Sequence, residues 1–407
     1  MKKIALVTER SYPFYTGGSA GGQEKTMYEY AISLSSNYSV TVFTSMDKNS
    51  NVGEKENLKF ISVFPRVNST NKIGNHSIMW IFLFSMNLLR HRKKIKNFDL
   101  VILDSITYFY PKVFLKYLRK NNEKVATIFS EAWYEYRRSK GFPRLISLAM
   151  GILIKRLIKY SDRIISISDP TSNSLKRNYG VEENKIFTVP SSIHFESISR
   201  RFALKPLECR QYDFVFVGRL AKIKRIDDLI NAISIVKKHK KNIKGAIIGD
   251  GLLREVFREQ IDRLGLNENV ILMGFTEEDK KYEILNDSRI FILPSEREGF
   301  SLSTLEAMAV GCVPIVAKPK YDEVFGVAHF VKNNINGIYY EVGNIEQLAK
   351  SILSLIENTR YLSMLSTSAN ETARSFDVQI FRRRLLSAVE SILSCDTVPL
   401  VQGNKNR

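Results

Sequence analysis

The segment SEREGFSLSTLEAMAVGCVP, residues 295–314, holds two carboxylates in a spacing that can do chemistry. Glu298 stands before a Gly-Phe pair and Glu306 follows eight positions later. FILP (291–294) ahead and VPIVA (313–317) behind have strand character, so the stretch reads as strand, loop, helix, strand. Glu298 then lies on the loop and Glu306 about one turn into the helix. The backbone of Gly299, Phe300, Ser301 and Leu302 can aim N–H groups, together with the positive end of the helix, at one anion. A diphosphate suits those donors, with a carboxylate on either side to accept hydrogen bonds from sugar hydroxyls. A local alternative stands beside this: Ser303-Thr-Leu-Glu306 fits a capping box, in which Glu306 folds back onto its own helix start.

A second constellation is FVGRLAKIKR, residues 216–225, where Arg219 and Lys224 are five apart after an apolar strand. Arginine presents a planar fork to phosphate oxygens and lysine a mobile point charge. Such a pair can meet a phosphate, or be two solvated surface cations. Gly249-Asp-Gly251 marks a strand-to-helix turn and is weak alone. In the first half, Gly17, Gly18, Gly21 and Gly22 precede a helix, and such glycines allow close backbone approach to a ligand.

EGFSLSTLEAMAVGCVPIVA strongly resembles the donor-site signature of glycosyltransferase family 4, retaining enzymes of the GT-B fold. By that resemblance Glu298 contacts the transferred sugar and Glu306 the ribose hydroxyls. The segment 216–225 resembles the family's Gly-Arg-Leu…Lys motif, which gives Arg219 and Lys224 the donor diphosphate. The family has Gly after this lysine and this chain has Arg225, so which of Lys222, Lys224 and Arg225 reaches the phosphate stays open. The resemblance puts Phe275 and Thr276 near the base, and Gly21 and Gly22 in the glycine-rich first loop at the donor. Asp322-Glu323 and Asn336-Gly337 also match family positions and read as structural.

The chain departs from the family pattern at two places. Ser130-Glu131-Ala132-Trp133 resembles a subgroup reading His-Glu-x-Trp, with Ser130 where the family's histidine stands, so that imidazole's role does not carry over. Ser130, Glu131 and Trp133 are candidate acceptor contacts, with Glu131 a candidate base; a core tryptophan and a solvated loop glutamate are the alternative. Val189-Pro-Ser191-Ser192-Ile193-His194 stands where the family has Pro-Asn-Gly-x-Asp, and His194 reads as structural.

The elements that must position these residues alternate strand and helix. KKIALVT (2–8), YSVTVFT (38–44), DLVILDS (99–105), KVATIFS (124–130) and RIISIS (163–168) read as buried strands, and the pattern restarts at YDFVFVG (212–218). The expected fold class is α/β: GT-B, two doubly wound Rossmann-like domains facing across a cleft, with ligands outside the carboxyl ends of the strands. Residues 1–205 form the expected acceptor domain and 206–380 the nucleotide-sugar domain, with the polar stretch 196–210 as linker. Residues 381–397 are expected to be a helix returning to the first domain.

Charge divides unevenly between these halves. The chain of 407 residues carries a net charge of +19, and residues 1–205, with 33 Lys and Arg against 16 Asp and Glu, account for +17. Such a field attracts an anionic partner. IMWIFLFSMNLLRHRKKIKN (78–97) and FPRLISLAMGILIKRLIKY (142–160) mix apolar and basic residues at helical intervals. They suit an anionic membrane surface, or equally the sheet face of a doubly wound domain. Nucleic acid is not expected, for want of a recognisable module. Three scattered cysteines suit neither a disulfide framework nor a metal cluster. No apolar stretch approaches a bilayer span, and the N-terminal apolar run is too short for a signal peptide. The expected setting is cytoplasmic, peripheral on the inner face of the cell membrane.

No Asp-x-Asp pair occurs in the chain, so a metal-held donor is not expected and no cofactor is called for. These readings converge on a retaining hexosyltransferase moving a sugar from a UDP- or GDP-sugar to a glycan or lipid-linked acceptor. A nucleotide-sugar epimerase of the same fold and a nucleic-acid-binding protein are the alternatives.

Overall fold

The computed structural model describes residues 1–9, 22–45, 56–64, 78–105, 109–130, 144–319 and 325–394. These fall into two compact units, one of residues up to 190 together with 381–394 and one of residues 191–380. The chain therefore divides at 190/191 and 380/381, where the sequence suggested 205/206 and 380/381. The stretch 196–210 is structured: a helix at Phe195–Arg201 is followed by a short 3-10 turn at Leu207–Cys209. Arg210 is buried, and its guanidinium donates to the carbonyls of Lys205, Ser288 and Val310. Three carbonyls satisfied by one side chain, two of them buried, make this segment part of the second unit.

The first unit is a parallel seven-stranded sheet. Its strands are β1 (Lys3–Val7), β2 (Ser39–Ser45), β3 (Leu58–Phe64), β4 (Leu100–Asp104), β5 (Lys124–Phe129), β6 (Arg163–Ser166) and β7 (Ile186–Thr188), in the order β3-β2-β1-β4-β5-β6-β7. Every residue of β4 and β5 is buried, as expected of strands covered on both faces. The connecting helices are α1 (Gly22–Ser35), α2 (Ile78–His91), α3 (Lys112–Asn121), α4 (Arg144–Tyr160) and α5 (Asp169–Tyr179). The ends of α5 follow from sequence. Ser168 Oγ accepts from the Thr171 N–H at 3.2 Å, Pro170 sits in the first turn, and Gly180 closes the helix at φ +65°.

The second unit starts with α6 (Phe195–Arg201) and is a parallel six-stranded sheet. Its strands are β8 (Tyr212–Val217), β9 (Gly245–Ile248), β10 (Val270–Gly274), β11 (Ser288–Leu293), β12 (Val313–Lys318) and β13 (Ile338–Glu341), ordered β10-β9-β8-β11-β12-β13. Between and after them run α7 (Ile226–His239), α8 (Arg254–Arg263), α9 (Glu278–Asn286), α10 (Leu302–Ala309), α11 (Ile345–Glu357) and α12 (Thr359–Arg374). A last helix, α13 (Val378–Ser394), begins in this unit and continues into the first, where Phe381 meets the Tyr30 ring edge-on at 5.0 Å. The two chain crossings run side by side: the Ile193 N–H donates to the Phe376 carbonyl and the Val378 N–H to that of Ile193.

Sequence reading passed over β3, β7 and β13. All three are edge strands. Edge position is not itself the reason, since β10 is also an edge strand and carries the apolar run VILMG; β7 and β13 are only three and four residues long, and β3 is broken by exposed Lys59 and Ser62.

Candidate active site

In the second sheet, β8 leads outward to β9 and β11 leads the other way to β12, so the loops after β8 and β11 part at a topological switch point. Both loops carry the residues singled out by sequence, and the structure stitches them together. The Glu296 N–H donates to the Ile223 carbonyl at 2.9 Å. Lys224 Nζ forms an ion pair with Glu298 Oε1, both side chains largely buried. The expected phosphate ligand and the expected sugar ligand thus touch each other.

Neighbouring loops brace this pair at close range. The Gly218 N–H donates to Ile248 O and the Leu220 N–H to Asp250 O, laying Gly249-Asp-Gly251 directly on the loop after β8. A Cβ at Gly249, whose φ is +134°, would sit 1.9 Å from Gly218 O, and one at Gly251 would sit 2.5 Å from Leu220 O. The glycines of this turn therefore serve backbone-to-backbone packing. On the other side the Gly326 N–H donates to Glu298 O at 3.0 Å. A Cβ there would fall 1.7 Å from Gly299 O, so only glycine lets the two strands of loop meet.

The four cations of this loop separate clearly. The Arg225 guanidinium forks onto Asp228, with Nε to Oδ2 at 2.6 Å and Nη2 to Oδ1 at 2.9 Å. That pairing, with burial opposing it, holds the guanidinium's pKa above its ordinary value. Lys222 is exposed, and so is Arg219. Lys224 is the cation joined to Glu298. Arg225 (φ 47°) and Ser301 (φ 71°) both hold left-handed backbone without being glycine, one in each of the two stitched loops. Such strain persists where surrounding contacts over-determine the fold.

At the start of α10, Ser301 makes no capping bond to the backbone. Its hydroxyl instead meets Thr304 Oγ1 at 2.8 Å. Phe300 turns its ring into a cluster with His329, Phe330 and Phe376. The capping-box reading of Glu306 is not what forms: the helix begins at Leu302, and Glu306 Oε2 accepts from Lys281 Nζ of α9 at 2.8 Å. Both residues are buried. Sequence reading missed Lys281; a lysine one turn into an otherwise polar helix start carries no visible mark of burial. Beside it, burial foremost and the Glu306 carboxylate next push the Tyr282 hydroxyl well above its ordinary pKa. Phe275, just past β10, is exposed, and Thr276 Oγ1 is buried without a hydrogen-bond partner among the described residues.

In the first unit, Gly22 opens α1 and Ser130 directly follows β5, half-buried. Gly21, Glu131 and Trp133 lie outside the described residues, as do Gly17, Gly18 and Asp322-Glu323. The structure adds residues not chosen from sequence. At the carboxyl ends of β1 and β4, where this sheet's own order reverses, Asp104 Oδ2 accepts from Thr8 Oγ1 at 2.9 Å and Gln23 Nε2 at 3.0 Å. Thr8, Glu9, Asp104 and Ser105 are all buried there. The available signal was polar residues closing apolar strands, in LVTE and ILDS. His194 is exposed at the start of α6, its carbonyl accepting from the Ile198 N–H.

Comparison with known proteins follows this division. Residues 202–373 match the family described as glycosyl transferases group 1, and residues 20–197 match glycosyltransferase family 4. The chain is 27% identical over 208 residues to a poly(ribitol-phosphate) alpha-N-acetylglucosaminyltransferase of Staphylococcus aureus, covering 51% of this chain and 39% of that protein. It is 28% identical over 242 residues to an N-acetylgalactosamine-N,N'-diacetylbacillosaminyl-diphospho-undecaprenol 4-alpha-N-acetylgalactosaminyltransferase of Campylobacter jejuni, covering 59% of this chain and 63% of that one. The chain thus spans less than two thirds of either relative. Sucrose-phosphate synthase from Thermosynechococcus elongatus shares the fold, with a TM-score of 0.78 at 15% identity over 97% of this chain and 100% of that one. With two parallel α/β sheets of GT-B type and both halves matched, the chain belongs to the group 1 glycosyltransferases.

Proposed function

We propose that the protein is a retaining, metal-independent hexosyltransferase that moves a sugar from a UDP- or GDP-sugar to a lipid-linked or otherwise membrane-associated glycan. The observation that carries this is the Lys224–Glu298 pair joining the loops after β8 and β11. Lys224, with Arg219, stabilises the departing diphosphate. Glu298 orients the sugar, and Glu306 accepts from the ribose hydroxyls. In the favoured course the bond from the anomeric carbon to the diphosphate breaks and the acceptor oxygen bonds to that carbon on the same face. The acceptor's proton passes to a donor phosphate oxygen. The positive charge that a metal would bring is supplied by Lys224 and Arg219, and the sequence lacks the Asp-x-Asp pair that metal-held donors use.

The acceptor side rests on charge and exposure. Phe82 and Met86 lie exposed on α2 one turn before exposed Arg90, while Phe84 and Leu88 are buried. On α4, Leu148 and Ile152 lie exposed in line with exposed Lys155 and Lys159, while Ile154 and Leu157 are buried. Each helix thus covers its sheet with one side and offers apolar side chains flanked by cations with the other, the pattern of an interfacial helix. No described helix is long and apolar enough to cross a membrane. One relative's name places its sugar on a diphospho-undecaprenol carrier, an acceptor of the same anionic, lipid-bound kind.

A panel of nucleotide-sugars in a thermal-shift assay tests the donor, since ligand at about a hundred times its Kd stabilises by about 2.7 kcal/mol. Transfer from the donor so found should survive EDTA, and the protein should sediment with anionic but not neutral vesicles. The reading fails if no nucleotide-sugar stabilises the protein. Isomerised sugar released without an acceptor would show an epimerase instead.

A further inference from the structure

Lysine is among the residues least often buried, yet Lys281 is 9% exposed. Its ammonium lies 2.8 Å from Glu306 Oε2 and 4.4 Å from the centroid of the Tyr282 ring. Glu278 Oε1, at 3.9 Å, is beyond hydrogen-bond reach, so Glu306 is the carboxylate it bonds. Tyr282 is itself wedged, its ring 5.4 Å from that of Phe202. Removing a lysine and a glutamate from water costs about as much as their attraction returns, so a buried pair of this kind is a poor device for stability. It is a good device for orientation. The helix that carries Glu306 has eight residues and no side-chain cap at its start, so little within α10 itself fixes that carboxylate. The bond from α9 does.

We propose that Lys281 is a positioning residue: by holding one oxygen of Glu306 it sets the carboxylate to receive the vicinal hydroxyls of the donor's ribose. A carboxylate offers about four lone-pair directions, so one taken by the ammonium leaves others for a diol. The inference rests on the nucleotide-sugar reading and adds the residue that decides how the ribose is selected. Lys281 touches no reacting atom; it acts through Glu306.

The test measures binding of UDP and GDP, and of their 2'-deoxy forms, by titration calorimetry to the wild type, Lys281→Met, Lys281→Gln and Lys281→Arg. The wild type should prefer the ribose form. Lys281→Met keeps the length of the apolar stem and should lose about tenfold in affinity for the ribose form, or about 1.4 kcal/mol. Its affinity for the deoxy form should hardly change, so the preference collapses. Lys281→Arg should restore the preference, and turnover at saturating donor should stay near wild type in all three. Lys281→Gln, which can still donate to Glu306, reads the effect if the methionine variant does not fold; it should lose part of the preference. Equal losses for ribose and deoxyribose forms would mean a merely structural lysine and overturn the inference, as would an undiminished preference. Failure of the wild type to bind either diphosphate would sink the donor reading and this inference together; binding with an unaltered preference in the variants sinks the inference alone.

Discussion

Because Lys224 and Glu298 hold each other in the structure, their variants should act in opposite directions on one ligand. A bare nucleoside diphosphate carries phosphate for Lys224 but no sugar for Glu298. In the wild type it must draw Lys224 away from Glu298. Replacing Glu298 with Gln removes that competition. The pair is partly buried, with side chains 20% and 14% exposed, so its coupling lies near the upper end of the surface range, about 1 kcal/mol. Glu298→Gln should therefore bind UDP or GDP as tightly as wild type or up to about fivefold more tightly. The same variant should turn over at least tenfold more slowly, because its contact to the sugar is weakened. Lys224→Met loses a charge-assisted bond to phosphate of about 1.5–3 kcal/mol, which is roughly a ten- to hundredfold rise in Kd. Calorimetry with the diphosphate and initial rates with the sugar donor separate the two effects. If Glu298→Gln weakened diphosphate binding as much as Lys224→Met does, the assignment of Lys224 to phosphate and Glu298 to sugar would be refuted.

Three further expectations follow from the geometry. Gly326→Ala places a Cβ 1.7 Å from Gly299 O and 2.2 Å from its carbon, so backbone must move; stability should drop by about 2–3 kcal/mol and donor binding with it, while Gly151→Ala, with open space around it in α4, should stabilise by about 0.5–1 kcal/mol, both read by denaturant midpoints. Ser301→Gly should stay within about 0.5 kcal/mol of wild type, because glycine relieves the left-handed φ of 71° but loosens the unfolded chain, whereas Ser301→Val should cost about 2 kcal/mol. Burial pushes the Cys312 thiol up to about 12, against a smaller opposing pull from Arg210, so it stays protonated at pH 8; iodoacetamide should modify exposed Cys209 and leave the Cys312 peptide unmodified until the protein unfolds, as mass spectrometry will read.

Central strands were legible because burial on both faces demands unbroken apolar runs: VILD in β4 and IFIL in β11 announce themselves. The strands β3, β7 and β13 were not: β7 and β13 are three and four residues long, and exposed Lys59 and Ser62 interrupt β3. The stretch 196–210 looked like a linker by composition. Its order comes from Arg210 reaching carbonyls as distant in sequence as Ser288 and Val310, which no local pattern contains. Glu306 is the clearest case within the site. Its local pattern, Ser-x-x-Glu, fits a cap, and its actual partner is a lysine 25 positions earlier on a different helix.

By itself, then, the amino-acid order determined the alternation of strand and helix and the two-unit architecture, and it singled out Arg219, Lys224, Glu298 and Glu306 as candidates. The alternation depends on periodicity, a property of neighbouring residues, and the candidates on short spacing together with the family resemblance. Only tertiary structure decided that Lys224 rather than Arg225 meets Glu298, that Gly249 and Gly326 exist to let backbones touch, and that Lys281 holds Glu306. Partner choice among like charges is set by which loops the sheet order brings together at its switch point, and that order appears only once the chain has folded.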